Sequence, residues 1–263
     1  MALPPSSAET VVAHAPLYDP AEDLPRYEVT TDQLAAQRIF GFNSADSRGR
    51  PFKMLRTPIA KLAMEKNVRL IGITSAAPHV GKTFVTANLG AALSRIADLD
   101  VCLIDLDLHR PALGPRFGME DMDGIHDFLT GDVDDIRKIT HRINDERLVI
   151  IPGFRRDVAT GELLTNSRGE AMFAGLRAMP KSTIVLVDMP PIFADDDAQI
   201  IGAQLDGFLL IVEDGKSTKK QAEDTIRILQ PTPLIGTVLN RYRYNLFNDE
   251  YGYGRSYGYG AYY

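Results

Sequence analysis

Lys82 and Thr83 close the stretch Leu70-Ile71-Gly72-Ile73-Thr74-Ser75-Ala76-Ala77-Pro78-His79-Val80-Gly81-Lys82-Thr83, a short apolar run that breaks into a loop containing proline and glycine. A buried strand that leads into a tight turn, with a helix starting directly behind it, aims consecutive backbone N–H groups at one anion. In such a loop Pro78, His79, Val80, Gly81, Lys82, Thr83 and Phe84 form a cradle for a phosphate chain. Lys82 reaches the β- and γ-phosphates, and the Thr83 hydroxyl holds Mg2+. The strict pattern has glycine five residues before Gly81, where this chain has Ala76. His79 and Val80 fill the centre of the turn, and histidine is among the side chains that tolerate positive φ. Gly-Lys-Thr also occurs by chance at strand ends, so the acidic residues further along the chain decide the reading.

Two further apolar runs end in carboxylates. Val101-Cys102-Leu103-Ile104 leads into Asp105-Leu106-Asp107. Carboxylates two residues apart at the C-terminal end of a strand project to the same side, into the crevice where open α/β sheets bind ligands. Thr183-Ile184-Val185-Leu186-Val187 leads into Asp188-Met189-Pro190-Pro191. A solvated strand end explains either alone. Together with the loop they supply a phosphate cradle and acidic groups for a metal ion.

These residues need a sheet to hold them. Strands are expected at 70–74, 101–104, 148–151, 183–187, 207–212 and 234–239. Helices are expected from Pro51, where proline suits the first helical position, and at 84–96, 170–178, 197–204 and 218–229. Pro58 should kink or split its helix. Strands alternating with helices predict a doubly wound, mostly parallel α/β sheet with helices on both faces. Residues 1–48, with prolines at 4, 5, 16, 20 and 25 and no sustained periodicity, read as a flexible arm or linker containing at most a short helix at 32–40. The domain is therefore expected at 49–240.

Composition narrows the function. The net charge of −6 argues against a nucleic-acid binder, and five scattered histidines show no metal-ligand spacing. The single cysteine, Cys102, lies inside a strand run and reads as a core residue in a reducing compartment. With no basic-then-apolar leader and no long apolar run, the chain is expected to be cytoplasmic and to meet a membrane only through a partner.

The last segment, 241–263, is expected to be a flexible tail. Eight of the ten tyrosines fall after residue 241, and Tyr251, Tyr253, Tyr257, Tyr259, Tyr262 and Tyr263 alternate closely with glycine. A sticky low-complexity tail has the same composition, but clustered hydroxyls in a mobile segment are also open to phosphorylation. From residue 241 onward three arginines face Asp249 and Glu250. One phosphate, adding about −1.5 to −2 charges, would make the tail net negative.

Over residues 50–263 the chain resembles the bacterial tyrosine autokinases of capsule and exopolysaccharide synthesis, in their free-standing cytoplasmic form. The resemblance rests on residues 78–83 with Ala87-Asn88-Leu89 behind them, on Leu103-Ile104-Asp105-Leu106-Asp107-Leu108-His109-Arg110-Pro111, and on Asp188-Met189-Pro190-Pro191. It also includes 124–131, Glu162-Leu163-Leu164, 236–240 and the tyrosine cluster. Partition and septum-positioning ATPases share the nucleotide motifs but not the tyrosines.

The resemblance implies transfer of the γ-phosphoryl group of ATP to tyrosine. Lys82 would neutralise phosphate charge, Thr83 and Asp105 would hold Mg2+, and Asp188 would support the ion. Asp107 would orient or deprotonate the phenol, and Asn240 would contact adenine. It further implies a homo-oligomeric ring and a membrane-spanning chain-length regulator as partner. The chain departs from the family pattern at His79, often glycine, at His109, usually arginine, and at Met189, usually a small hydroxyl residue. Arg50, Lys53 and Arg56 replace a Glu-x-x-Arg-x-x-Arg pattern used between subunits, which reverses one charge. The departures keep open an alternative: an ATP-binding switch or adaptor of a polysaccharide assembly complex, without kinase activity.

Overall fold

The computed structural model describes residues 15–120, 122–156 and 160–242. In chain order the elements are β1 (Arg26–Tyr27), α1 (Thr31–Ala36), α2 (Arg50–Lys66), β2 (Leu70–Thr74), α3 (Lys82–Leu93), β3 (Asp100–Asp105), α4 (Leu113–Arg116) and α5 (Ile125–Thr130). There follow β4 (His141–Ile143), β5 (Leu148–Ile151), α6 (Thr160–Thr165), α7 (Ser167–Arg177), β6 (Thr183–Asp188), α8 (Asp197–Gly202), β7 (Gly207–Glu213), α9 (Lys219–Ile228) and β8 (Leu234–Asn240). The strands form one sheet in the order β1-β4-β5-β3-β6-β2-β7-β8. Every pairing is parallel except β4 with β5.

The central strands are buried on both faces, which is why they read as continuous apolar runs. Alternate side chains serve opposite sides. Leu70, Cys102, Ile104, Val185 and Val187 enter one core with Phe173 and Leu176 of α7 and Ile201 of α8. Ile71, Ile73, Val101, Leu103, Ile184 and Leu186 enter the other with Phe52 and Ile59 of α2 and Val85 and Leu89 of α3. Cys102 is fully buried, and burial pushes its thiol up to about 12.

Two sequence expectations are corrected here. Residues 15–48 are not an unpacked arm: β1 adds to the sheet beside β4, and Tyr18, Leu24, Val29 and Ile39 are buried. Their anchors lie one to a loop, so no period betrays them, and polar side chains far along the chain complete the attachment. Asn144 Oδ1 accepts from the Val29 N–H at 2.8 Å, and Asn88 Oδ1 accepts from the Phe40 N–H at 2.7 Å. The short helix α1 buries none of its own residues.

Helix α2 also runs unbroken through Pro58. Both Pro58 and Met54, whose carbonyl the missing N–H orphans, lie on the exposed side, so water can serve that carbonyl. The helix ends at Asn67, which adopts the left-handed conformation (φ +54°) that asparagine tolerates.

Candidate functional site

The C-terminal ends of β2, β3 and β6 meet at one edge of the sheet, and β2 passes there into the loop before α3. His79 stands at φ +60° and Gly81 at φ +103°. The turn thus takes a left-handed residue at 79, which histidine supplies in place of glycine. Position 81 has no such latitude, because a Cβ there would collide with the Asn240 side-chain amide. The amide's Nδ2 donates to the Val80 carbonyl at 2.8 Å. Asn240 therefore braces the loop from the end of β8.

Lys82 is the first residue of α3 and is buried. Its Nζ lies 3.5 Å from Asp107 Oδ2, with both side chains less than a tenth exposed. Burial raises the Asp107 carboxyl above its ordinary range, against the opposing pull of the Lys82 charge. Asp105 does not share the crevice with Asp107 as the i, i+2 spacing suggested. Its Oδ2 accepts from the N–H groups of Ala112 and Leu113 at 2.9 and 2.8 Å, and its Oδ1 from that of Asp107 at 3.2 Å. The chain turns sharply after β3, and Asp105 ties that turn from inside. Burial, then the charge of Asp188, hold its carboxyl well above the usual carboxylate range.

Asp188 sits directly across from Asp105 in the ladder between β6 and β3. It is fully buried, its Oδ1 accepts from the Thr86 hydroxyl at 3.3 Å, and its Oδ2 has no hydrogen-bond partner among the described residues. Burial raises this carboxyl to about 6, while the Lys82 charge and the Thr83 hydroxyl oppose the rise. A buried carboxylate oxygen without a partner is costly. That cost, beside the Thr83 hydroxyl, fits a cation at this point. Among the described residues no group of three or more His, Cys, Asp or Glu side chains is arranged to hold a metal. The arrangement suits Mg2+, which binds through one or two carboxylates and completes its shell with phosphate oxygens and water. Asp105 lies directly across the ladder from Asp188, and both of its oxygens accept backbone N–H groups.

A cleft of about 340 Å3 opens over the loop, lined among others by Gly81, Lys82, Thr83, Phe84, Arg116 and Arg241. A second, of about 630 Å3, shares Pro78, Asp107, Arg110 and Pro191 with the first and continues toward Phe193 and Asp195. Asp107 and Arg110 thus stand where the two meet. His109, on the wall of the larger cleft, has Nε2 at 2.8 Å from the Thr160 hydroxyl and at 3.3 and 3.4 Å from Asp195 and Asp197. Thr86, Arg116 and Arg241 were missed by sequence reasoning. Thr86 follows the loop at a spacing that marks it only as one more helical residue, and no motif signals the two arginines. The six candidate tyrosines of the tail lie outside the described residues.

A glycine-containing loop between a buried strand and a helix, with a buried lysine and flanking acidic strand ends, defines a phosphate-loop nucleotide-binding α/β protein. The sequence model of the CobQ/CobB/MinD/ParA nucleotide binding domain matches residues 71–251, and the chain belongs to that family. It is 31% identical over 262 residues to EpsB of Ralstonia nicotianae, whose name is that of a tyrosine-protein kinase; the match takes in 95% of this chain and 32% of that protein. The chain thus spans about a third of the length of that relative. The tyrosine-protein kinase YwqD of Bacillus subtilis is 28% identical over 77% of this chain and 84% of its own length. Among solved structures, the BceF tyrosine kinase domain superposes with a TM-score of 0.66 at 26% identity, over 82% of this chain and 93% of that one. No helix among the described residues is long and apolar enough to cross a membrane.

Proposed function

We propose that this chain is an ATP-dependent protein-tyrosine autokinase that regulates capsular or exopolysaccharide synthesis and export. The observation that carries the reading is the buried Lys82–Asp107 pair at the mouth of a phosphate loop, in a chain that also holds a tyrosine-rich tail. The kinase names of its relatives support it.

The backbone N–H groups of residues 79–84 and the Lys82 ammonium bind the phosphate chain. Thr83 and Asp188 would hold Mg2+, which supplies charge neutralisation between the β- and γ-phosphates. Asp105 holds the turn that carries Asp107. A tail tyrosine enters from the larger cleft, its phenol oxygen bonds to the γ-phosphorus, and the bridging oxygen leaves with ADP. Asp107 accepts or orients the phenol proton. A phenol near pKa 10 is a poor match for any carboxylate, so Asp107 acts mainly through orientation and charge. The acceptors are Tyr251, Tyr253, Tyr257, Tyr259, Tyr262 and Tyr263. Partners are a membrane-spanning chain-length regulator that recruits the chain to the inner face of the cell membrane, and further copies of the chain.

One observation favours the alternative, an ATP-binding adaptor without kinase activity. His109 is drawn toward Thr160, Asp195 and Asp197, at a position where the family resemblance implies an arginine. Intact-mass analysis with and without Mg-ATP separates the two. Phosphate added to the tail, and suppressed by Lys82→Met or Asp107→Asn, is the expected result. Protein that binds ATP yet gains no phosphotyrosine, even with its membrane partner, refutes the kinase reading in favour of the adaptor.

A further inference from the structure

Arg116 ends the short helix α4 and lines the cleft beside Gly81, Lys82, Thr83 and Phe84. Among the described residues it makes one hydrogen bond, from Nη1 to the Gln37 carbonyl at 3.0 Å, and its Nε is buried without a partner. Its guanidinium carbon lies 6.0 Å from the centroid of the Phe84 ring, and Phe84 is in turn held edge-on by Phe52 at 5.5 Å. The position of the group is thus fixed from two sides, by the segment after α1 and by the first turn of α3. Its charge is not satisfied to match, because Arg116 makes no ion pair among the described residues.

A guanidinium cannot shed its proton to escape burial, and its planar fork matches phosphate oxygens. The Asp188 charge acts on this guanidinium without an ion pair between them, so an oriented, half-buried cation in a cleft built for phosphate still takes a direct counter-ion from the ligand. We propose that Arg116 binds the phosphate chain of the nucleotide, as a second cationic contact alongside Lys82 and aimed by the Gln37 carbonyl. The proposal rests on the nucleotide reading of the cleft. It makes the segment before α2, expected to be a linker, part of the binding site.

Calorimetric titration with Mg-ATP, on the full chain and on Arg116→Gln, Arg116→Lys and Lys82→Met, tests it. Glutamine keeps a donor for the Gln37 carbonyl but removes the charge, so loss of the clamp alone leaves its affinity intact. The expected result is a Kd about ten- to a hundredfold weaker for Arg116→Gln, the range of one charge-assisted hydrogen bond. Arg116→Lys recovers part of that loss, and the melting temperature without nucleotide stays close to that of the parent. If Arg116→Gln binds Mg-ATP within about twofold of the parent while Lys82→Met does not bind, the inference is wrong and the cleft reading stands. If Arg116→Gln melts early and lysine rescues neither stability nor affinity, Arg116 is only a clamp and the inference is again wrong. A folded parent chain that binds no Mg-ATP overturns the cleft reading and this inference with it.

Discussion

Replacing Asn240 with alanine separates two roles that one side chain at the end of β8 could play. In the structure its Nδ2 donates to the Val80 carbonyl at 2.8 Å, and the amide packs against the bare α-carbon of Gly81. Removing a neutral hydrogen bond of this kind costs about 1 kcal/mol. In a domain of this size that lowers the melting temperature by about 2–4 °C. A loop freed from its brace must also be ordered on binding, so affinity falls by up to about fivefold for the same 1 kcal/mol. In the structure the brace touches the loop. The penalty is therefore the same for Mg-ATP and Mg-GTP, measured by titrating each into parent and variant alongside thermal melts without ligand. A variant that melts like the parent but loses its preference for adenine over guanine would refute the reasoning and restore the adenine contact.

Two further outcomes follow from groups already described. Asn88→Ala removes hydrogen bonds to the Phe40 N–H, the Arg38 carbonyl and the Phe84 carbonyl; denaturant unfolding should show a loss of about 2–3 kcal/mol, with limited proteolysis opening the chain between residues 15 and 48 while the sheet stays intact. The second outcome concerns pH. Asp188 has its carboxyl raised from 3.8 to about 6, so between those values the folded chain holds more protons than the unfolded one and loses stability as pH rises. Full ionisation costs about 3 kcal/mol on this account. Asp188→Asn should gain on the parent from pH 4.5 to pH 7 in denaturant unfolding without nucleotide, and parallel stability profiles for the two would defeat the argument.

What could be read in the residues was whatever repeats or clusters locally. The strands β2, β3 and β6 were legible because burial on both faces demands unbroken apolar runs. Their acidic ends marked the edge where the site lies. The strands β1 and β4 were not, because two or three residues carry no period, and β1 pairs with a partner more than a hundred residues away. Separation along the chain also left the Asn240–Val80 and Arg116–Gln37 hydrogen bonds unmarked, 160 and 79 residues apart. Asp105 and Asp107 show the limit of spacing as a guide. The i, i+2 rule holds while a strand continues, and β3 ends at Asp105, so the turn sends the two carboxylates to different tasks.

Arg241 lines the phosphate cleft and follows directly on the strand whose end braces the loop. Tyr251 lies ten positions further along the sequence, and ten fully extended chain steps reach no further than about 36 Å. If Tyr251 is an acceptor, as proposed, it can never be further than that from the cleft of its own chain, and a tether of such length holds its end at an effective concentration independent of dilution. Dilution does not lower that local concentration, whereas transfer between copies weakens as the protein is diluted. The dependence of phosphotyrosine formation on protein concentration consequently reports whether a chain phosphorylates itself or its neighbour.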